Sequence, residues 1–185
     1  MQLRHIPNIL SFSRIFLAPL FMVFMFKDIY LYKILSLLVF FLGSLLDFLD
    51  GYIARKFDFT SDFGKYLDPI ADKVLIISAF LTLNLFYPDL VKSWMILVII
   101  LRDIAVTLFR FYLMNNNLIM KTSIYAKVKT LVQIILIHII LIMHVYDFSS
   151  FASFQNSIYY IMLLCTVYTV STGLHYVKIN FNHLK

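Results

Sequence analysis

The sequence predicts an all-α integral membrane protein, a bundle of six transmembrane helices with a short interfacial helix at its N-terminus. Three observations carry this expectation. Of the 185 residues, 62% are hydrophobic, well above the ~45–50% of a soluble domain. A chain this short has no core large enough to bury so many, which leaves lipid as the solvent. Six apolar stretches each approach the roughly 20 residues needed to cross a hydrocarbon layer. Finally, four aspartates, Asp47, Asp50, Asp68 and Asp72, are gathered in one run, DFLDGYIARKFDFTSDFGKYLDPIAD, flanked by membrane-grade sequence.

The elements follow in order. Residues 1–14, MQLRHIPNILSFSR, are basic and partly amphipathic. Pro7 or Asn8 suits a helix start, and Leu3, Ile6, Ile9 and Leu10 can share one face at the membrane surface. Arg4 followed by the apolar run Ile15 to Phe26 has the outline of a signal peptide, but no small-residue cleavage site follows Phe26. The run is therefore expected to be the first span. Spans are placed near 10–27, 30–54, 66–87, 92–114, 125–146 and 155–177. Pro19 is positioned to kink the first. Lys27 to Lys33 makes a short turn, and Lys56 to Phe63 a polar loop. Pro69 is expected in the first turn of the third span, where its missing N–H costs nothing. Pro88 and Asp89 mark the next turn, and Asn115, Asn116 and Asn117 end the fourth span. Lys127 and Lys129 open the fifth. Asp147, Ser149 and Ser150 form the last outer turn, and the sixth span ends near Tyr176. No linker, repeat or low-complexity tract interrupts the chain, so residues 1–185 read as a single membrane domain.

The formal charge of +6 points, in a membrane protein, to anionic head groups or phosphorylated substrates rather than to nucleic acid. The single cysteine, Cys165, allows no intrachain disulfide and no cysteine-rich metal site. Eleven Lys and Arg lie at one set of span ends and only three, Lys27, Lys33 and Lys92, at the other. The positive-inside rule then puts both termini, the loop after span 2 and the loop after span 4 in the cytoplasm, as for a protein of the cell (inner) membrane.

The aspartates carry the chemistry. Asp47 and Asp50 are i, i+3 on one helix, with Gly51 and Ala54 continuing the stripe; Asp68 and Asp72 are i, i+4 on the next. A short loop makes the two helices antiparallel neighbours, with both pairs at the loop end. Gly51 and Ala54 remove bulk there and permit close approach of a helix or a flat ligand. Four carboxylates in one gap repel unless protonated or held by cations. Single aspartates at a membrane edge commonly cap helices or pair with residues such as Arg55, Lys56, Lys65 or Lys73. Four at these spacings with two glycines point instead to a site. All-oxygen donors favour a hard cation, Mg²⁺, Mn²⁺ or Ca²⁺, and a pair of ions suits phosphoryl displacement.

The run closely resembles the pattern D-x2-D-G-x2-A-R-x8-9-G-x3-D-x3-D of the CDP-alcohol phosphatidyltransferases. Asp47, Asp50, Gly51, Ala54, Arg55, Gly64, Asp68 and Asp72 match every fixed position, and the six-span layout extends the resemblance over the whole chain. It implies displacement of CMP from a CDP-linked lipid by an alcohol with Mg²⁺ or Mn²⁺, two ions per site. By resemblance Asp47, Asp50, Asp68 and Asp72 bind metal, and Asp72 also takes the proton of the acceptor hydroxyl. Gly51, Ala54 and Gly64 line the cytidine pocket, and Arg55 holds the diphosphate. Within the family, FGKYLDPIADKV and PNILSFSR look most like the phosphatidylglycerophosphate synthases, which implies CDP-diacylglycerol and sn-glycerol 3-phosphate as substrates and a homodimer in membrane lipid. In the second segment Ser11 replaces a Thr, and Arg14 is implied as a further diphosphate contact.

A phosphorylated acceptor needs fixed positive charge. Arg102, Arg110, Lys127 and Lys129 are the candidates for its phosphate. The family's Arg-Glu and GKVKT are here Arg102-Asp103 and AKVKT, departures that leave open another acceptor such as inositol phosphate. Asp103, adjacent to Arg102, is not expected to share its face. His138, His144 and His175 read as packing or interface residues, and Trp94 as an outer anchor. A cation transporter is the reading from a different class; the absence of inverted repeats and the placement of the aspartates at one end of their spans speak against it.

Overall fold

The computed structural model describes residues 6–57, 62–116, 124–147 and 152–181, with side chains for 9–49, 70–116, 124–147 and 155–180. Among the described residues the chain is entirely helical: α1 (Ile6–Met25), α2 (Tyr30–Phe57), α3 (Asp62–Phe86), α4 (Ser93–Asn115), α5 (Ile124–Tyr146) and α6 (Ala152–Phe181). These match the six apolar stretches to within a few residues. By length and composition, Tyr30–Leu49, Ile124–Tyr146 and Gln155–Asn180 are long and apolar enough to cross a membrane, and Ile9–Met25 is a shorter apolar helix. Large apolar side chains face outward all round, among them Phe16, Leu85, Leu108 and Leu174, each more than three-fifths exposed. Water does not tolerate such a surface; hydrocarbon does.

Two sequence expectations need correction. The N-terminal segment is not a separate helix, since α1 runs unbroken from Ile6 to Met25 with Pro19 inside it. Pro69 is not in the first turn of its helix, because α3 already begins at Asp62. A proline inside a helix forfeits one backbone hydrogen bond, which neighbouring structure can offset.

The chain divides into two compact units. The first comprises α1, α2, nearly all of α3 and the C-terminal half of α5. Here α1 packs along α2, with Phe21 and Phe40 in tilted ring contact at 5.8 Å. His138 lies edge-on to Phe40 at 5.0 Å, the packing role its sequence context suggests. Gly43 of α2 lacks the Cβ that would stand 2.5 Å from Leu75 Cδ2, so α3 can lie close against α2. At the α1–α2 turn, Lys33 donates to Asp28 at 3.0 Å and holds that exposed carboxyl below its ordinary range. Asp147 ends α5 in the left-handed region, φ 54°, which aspartate tolerates better than most residues.

The second unit comprises α4, the N-terminal half of α5 and α6, with α4 packed on α6. The Asn84 side chain donates to Val91 O at 2.6 Å and fastens the turn before α4. Asn116 caps the other end, its side chain donating to Tyr112 O at 2.8 Å. The hydroxyls of α6 turn back on their own helix: Thr166 to Met162 O, Thr169 to Cys165 O and Thr172 to Thr169 O. That satisfies polar groups a lipid-embedded helix cannot leave bare. Cys165 is buried beside them as packing.

Candidate functional site

In the first unit three helices converge on one guanidinium. Arg14 of α1 is 1% exposed, and its Nη1 donates to Oδ1 of both Asp47 on α2 and Asp72 on α3. On the other side Nη2 meets the Ser11 hydroxyl at 3.3 Å. Asp47 and Asp72 remain about one-third exposed, while the arginine that joins them is buried. Sequence reasoning placed Asp47 and Asp72 together across a helix gap, and the structure does so. It assigned no role to Ser11. The signal was present: Ser11 and Arg14 are i, i+3, so they share a face.

The donor set fits a hard divalent cation. Two carboxylates from separate helices reach a common point and both supply oxygen; Arg14 Nη1 holds that point here, so a cation would bind through their remaining oxygens or displace it. Among the described residues no group of three His, Cys, Asp or Glu converges. Asp50, Gly51, Ala54 and Arg55 belong to α2, and Gly64 and Asp68 to α3, but their side chains lie outside the described residues.

The second unit holds its own polar cluster. Lys129 of α5 donates to both carboxylate oxygens of Asp103 on α4, at 2.7 Å each. Arg102 Nη1 donates to Asp103 Oδ1 at 3.0 Å, and Nη2 to the Thr172 hydroxyl of α6 at 3.0 Å. Asp103 is therefore not turned away from its neighbour: the long arginine side chain bends back to it, which Cα spacing alone does not reveal. Gly173 leaves room beside it, since a Cβ there would stand 2.8 Å from Arg102 Nε and the arginine would have to shift. Gln133 donates to Thr169 at 3.5 Å one turn along α6. Of the four candidate acceptor cations, Arg102 and Lys129 are thus brought together on Asp103. Arg110 is half-buried and Lys127 exposed. Between α4 and α6 a cavity of about 520 Å³ is lined by Arg102, Val106, Val170, Gly173, Leu174 and Lys178, among others. Among the described residues its walls are mostly aliphatic, with Arg102 and Lys178 as the polar members.

The family model for CDP-alcohol phosphatidyltransferases matches residues 4–170. The chain belongs to the CDP-alcohol phosphatidyltransferase family. Among similar members, the CDP-diacylglycerol–glycerol-3-phosphate 3-phosphatidyltransferase of Bacillus subtilis (strain 168) is 31% identical over 194 residues, covering 98% of this chain and 97% of that one. The proteins of the same name from Aquifex aeolicus (strain VF5) and Rickettsia typhi (strain ATCC VR-144 / Wilmington) are 35% and 34% identical over 77% and 76% of this chain. They cover 79% and 78% of their own length respectively. This phosphatidyltransferase therefore matches these relatives across its helices, not only at the aspartate run.

Proposed function

We propose that this chain transfers the phosphatidyl group of CDP-diacylglycerol to sn-glycerol 3-phosphate, giving phosphatidylglycerophosphate and CMP. The observation that carries the reading is the near full-length match to a relative named for that reaction, in a chain whose Asp47, Asp72 and Arg14 meet at one point. The acceptor hydroxyl oxygen attacks the phosphorus that bears the diacylglycerol. A new P–O bond forms, the bond to the bridging oxygen breaks, and CMP leaves with the electron pair.

Asp47, Asp50, Asp68 and Asp72 would hold divalent cations, Mg²⁺ or Mn²⁺, two per site, which would supply charge neutralisation at the diphosphate and the leaving oxygen. Asp72 takes the hydroxyl proton of the acceptor. Arg14 and Arg55 hold the diphosphate, and Gly51, Ala54 and Gly64 leave room for the cytidine. Arg102, Arg110, Lys127 and Lys129 receive the acceptor phosphate. Residues 1–185 act as one membrane domain in which all six helices cross the bilayer and the first turns of α1 lie at its surface. Both termini and the site face the cytoplasm, and the working unit is a homodimer in the cell membrane.

The test is CMP release by purified protein in detergent with Mg²⁺ or Mn²⁺, CDP-diacylglycerol and a panel of acceptors that includes glycerol 3-phosphate and inositol phosphate. Release that depends on glycerol 3-phosphate is expected. Release indifferent to that acceptor, or faster with another, overturns the substrate assignment.

A further inference from the structure

We propose that the cavity between α4 and α6 holds one anionic glycerophospholipid of the surrounding bilayer, with an acyl chain along its aliphatic walls and the phosphate at Lys178. The inference concerns a resident lipid rather than a substrate, and it does not depend on which alcohol is the acceptor.

The cavity, of about 520 Å³, is lined wholly by residues of the second unit. Its size falls within the roughly 300–1,000 Å³ of ligand sites. Two small residues make the space, Ala105 on α4 and Gly173 on α6, and Val170 and Leu174 are among those that supply the aliphatic walls. Ala105 and Leu174 are also exposed at the protein surface. The cavity therefore opens on the face that lipid covers, and an acyl chain enters it without crossing water.

The two cations set the chemistry of the occupant. Lys178 lies exposed in the last turn of α6, and among the described residues it makes no ion pair. Its stem lies along an apolar wall while the ammonium reaches a head group. Arg102 stands farther from that helix end, against Gly173, with 10% of its side chain exposed. Its Nη1 and Nη2 are taken by Asp103 and Thr172. Its Nε is buried and has no hydrogen-bond partner among the described residues. A buried donor without an acceptor is costly, and a ligand oxygen removes that cost.

Gly173 and Lys178 are five residues apart on α6, or ~7.5 Å of helix rise. A glycerophospholipid has the same layout: a phosphate, ester carbonyls a step below it, then an acyl chain. The phosphate meets Lys178, an ester carbonyl accepts from Arg102 Nε, and the chain runs on past Val170. A free phosphate leaves the aliphatic walls unused, and a hydrocarbon without a head group leaves both nitrogens unmatched. The lipid then joins α4 to α6 as a structural member of the second unit.

The test uses the full chain, purified in a neutral detergent and stripped of lipid. The probes are phosphatidylglycerol and phosphatidylcholine with identical acyl chains, and native mass spectrometry counts the lipids that stay bound. One phosphatidylglycerol per chain is expected, held more tightly than phosphatidylcholine. Lys178→Gln is expected to weaken phosphatidylglycerol binding about fivefold, the effect of one basic residue near an anionic lipid surface, and to leave phosphatidylcholine unchanged. Ala105→Phe fills the cavity from α4 and is expected to lose bound lipid of either kind. Should that variant fail to fold, Val170→Phe fills the same space from α6 with the same expectation. Equal retention of the two lipids by wild type, or no change in Lys178→Gln, overturns the proposal. So does retention of no lipid, the outcome if a second copy of the chain covers the groove. Displacement of phosphatidylglycerol one for one by CDP-diacylglycerol assigns the cavity to the substrate and overturns the proposal as well.

Discussion

Ser11 receives Nη2 of Arg14 at 3.3 Å from one turn away on the same helix. The arginine is thus held from within α1 while its other nitrogen engages α2 and α3. Ser11→Ala removes one arm of this grip and nothing else of size. Loss of one hydrogen bond to a charged group costs about 1.5–3 kcal/mol at most. A lower melting temperature with a modest fall in turnover is expected, and Ser11→Thr should match wild type in both measurements.

Arg14→Lys keeps the charge and loses the fork. A lysine offers one ammonium where the guanidinium spreads its donors over Ser11, Asp47 and Asp72. The variant should fold and bind CDP-lipid more weakly, with KM for that substrate raised on the order of tenfold. Steady-state kinetics against CDP-diacylglycerol checks this; a KM equal to that of wild type contradicts a diphosphate role for Arg14.

Asp72→Asn separates holding from proton transfer. The amide keeps the shape of the side chain and cannot accept the hydroxyl proton as a base, so kcat should fall by ~100-fold or more. CDP-lipid binding, measured directly by titration, should survive in part. Asp47→Asn should instead weaken divalent-cation binding together with turnover. Full activity in either variant removes the aspartate pair from the reaction.

Chelation is expected to stop turnover without unfolding the protein. Arg14 stands between the two carboxylates and offsets their repulsion when metal is withdrawn. EDTA should therefore abolish CMP release, re-addition of Mg²⁺ should restore it, and circular dichroism should barely move. An unfolding transition on chelation would mean that the metal, not Arg14, holds the first unit together.

Gly173→Ala tests the fit of α6 to α4. The new methyl would stand 2.8 Å from Arg102 Nε and 2.9 Å from its Cγ, so the arginine must shift. Overpacking of this kind typically costs 1–3 kcal/mol. A melting temperature lower than that of wild type is expected, with a raised KM for the phosphorylated acceptor.

Much of this was legible in the residues. Apolar run length located all six helices to within a few residues, because hydrophobic patterning is a property of whole segments. The aspartate spacing announced that Asp47 and Asp72 would meet, because two helices joined by a short loop have little freedom. Contacts made by long side chains were not legible. Arg102 reaches its own sequence neighbour, Asp103, by bending, and helical spacing says nothing about such a path. Lys129 finds Asp103 from 26 residues away, a partnership between separate helices that local spacing cannot reveal. Pro69 was misplaced because a favourable position for proline is only a preference, and α3 takes it in its interior.

Arg14 is made 33 residues before Asp47 and 58 before Asp72. During synthesis it gains Asp47 with α2 but stays without its second countercharge, Asp72, until α3 has left the ribosome. The first helix therefore cannot reach its final seat at the time it is inserted, and the three N-terminal helices must lock together as a late event. Interrupting translation between residues 47 and 72 should leave α1 more open to proteases than in the finished chain, so the charge that holds the site together also times the moment at which the first unit is complete.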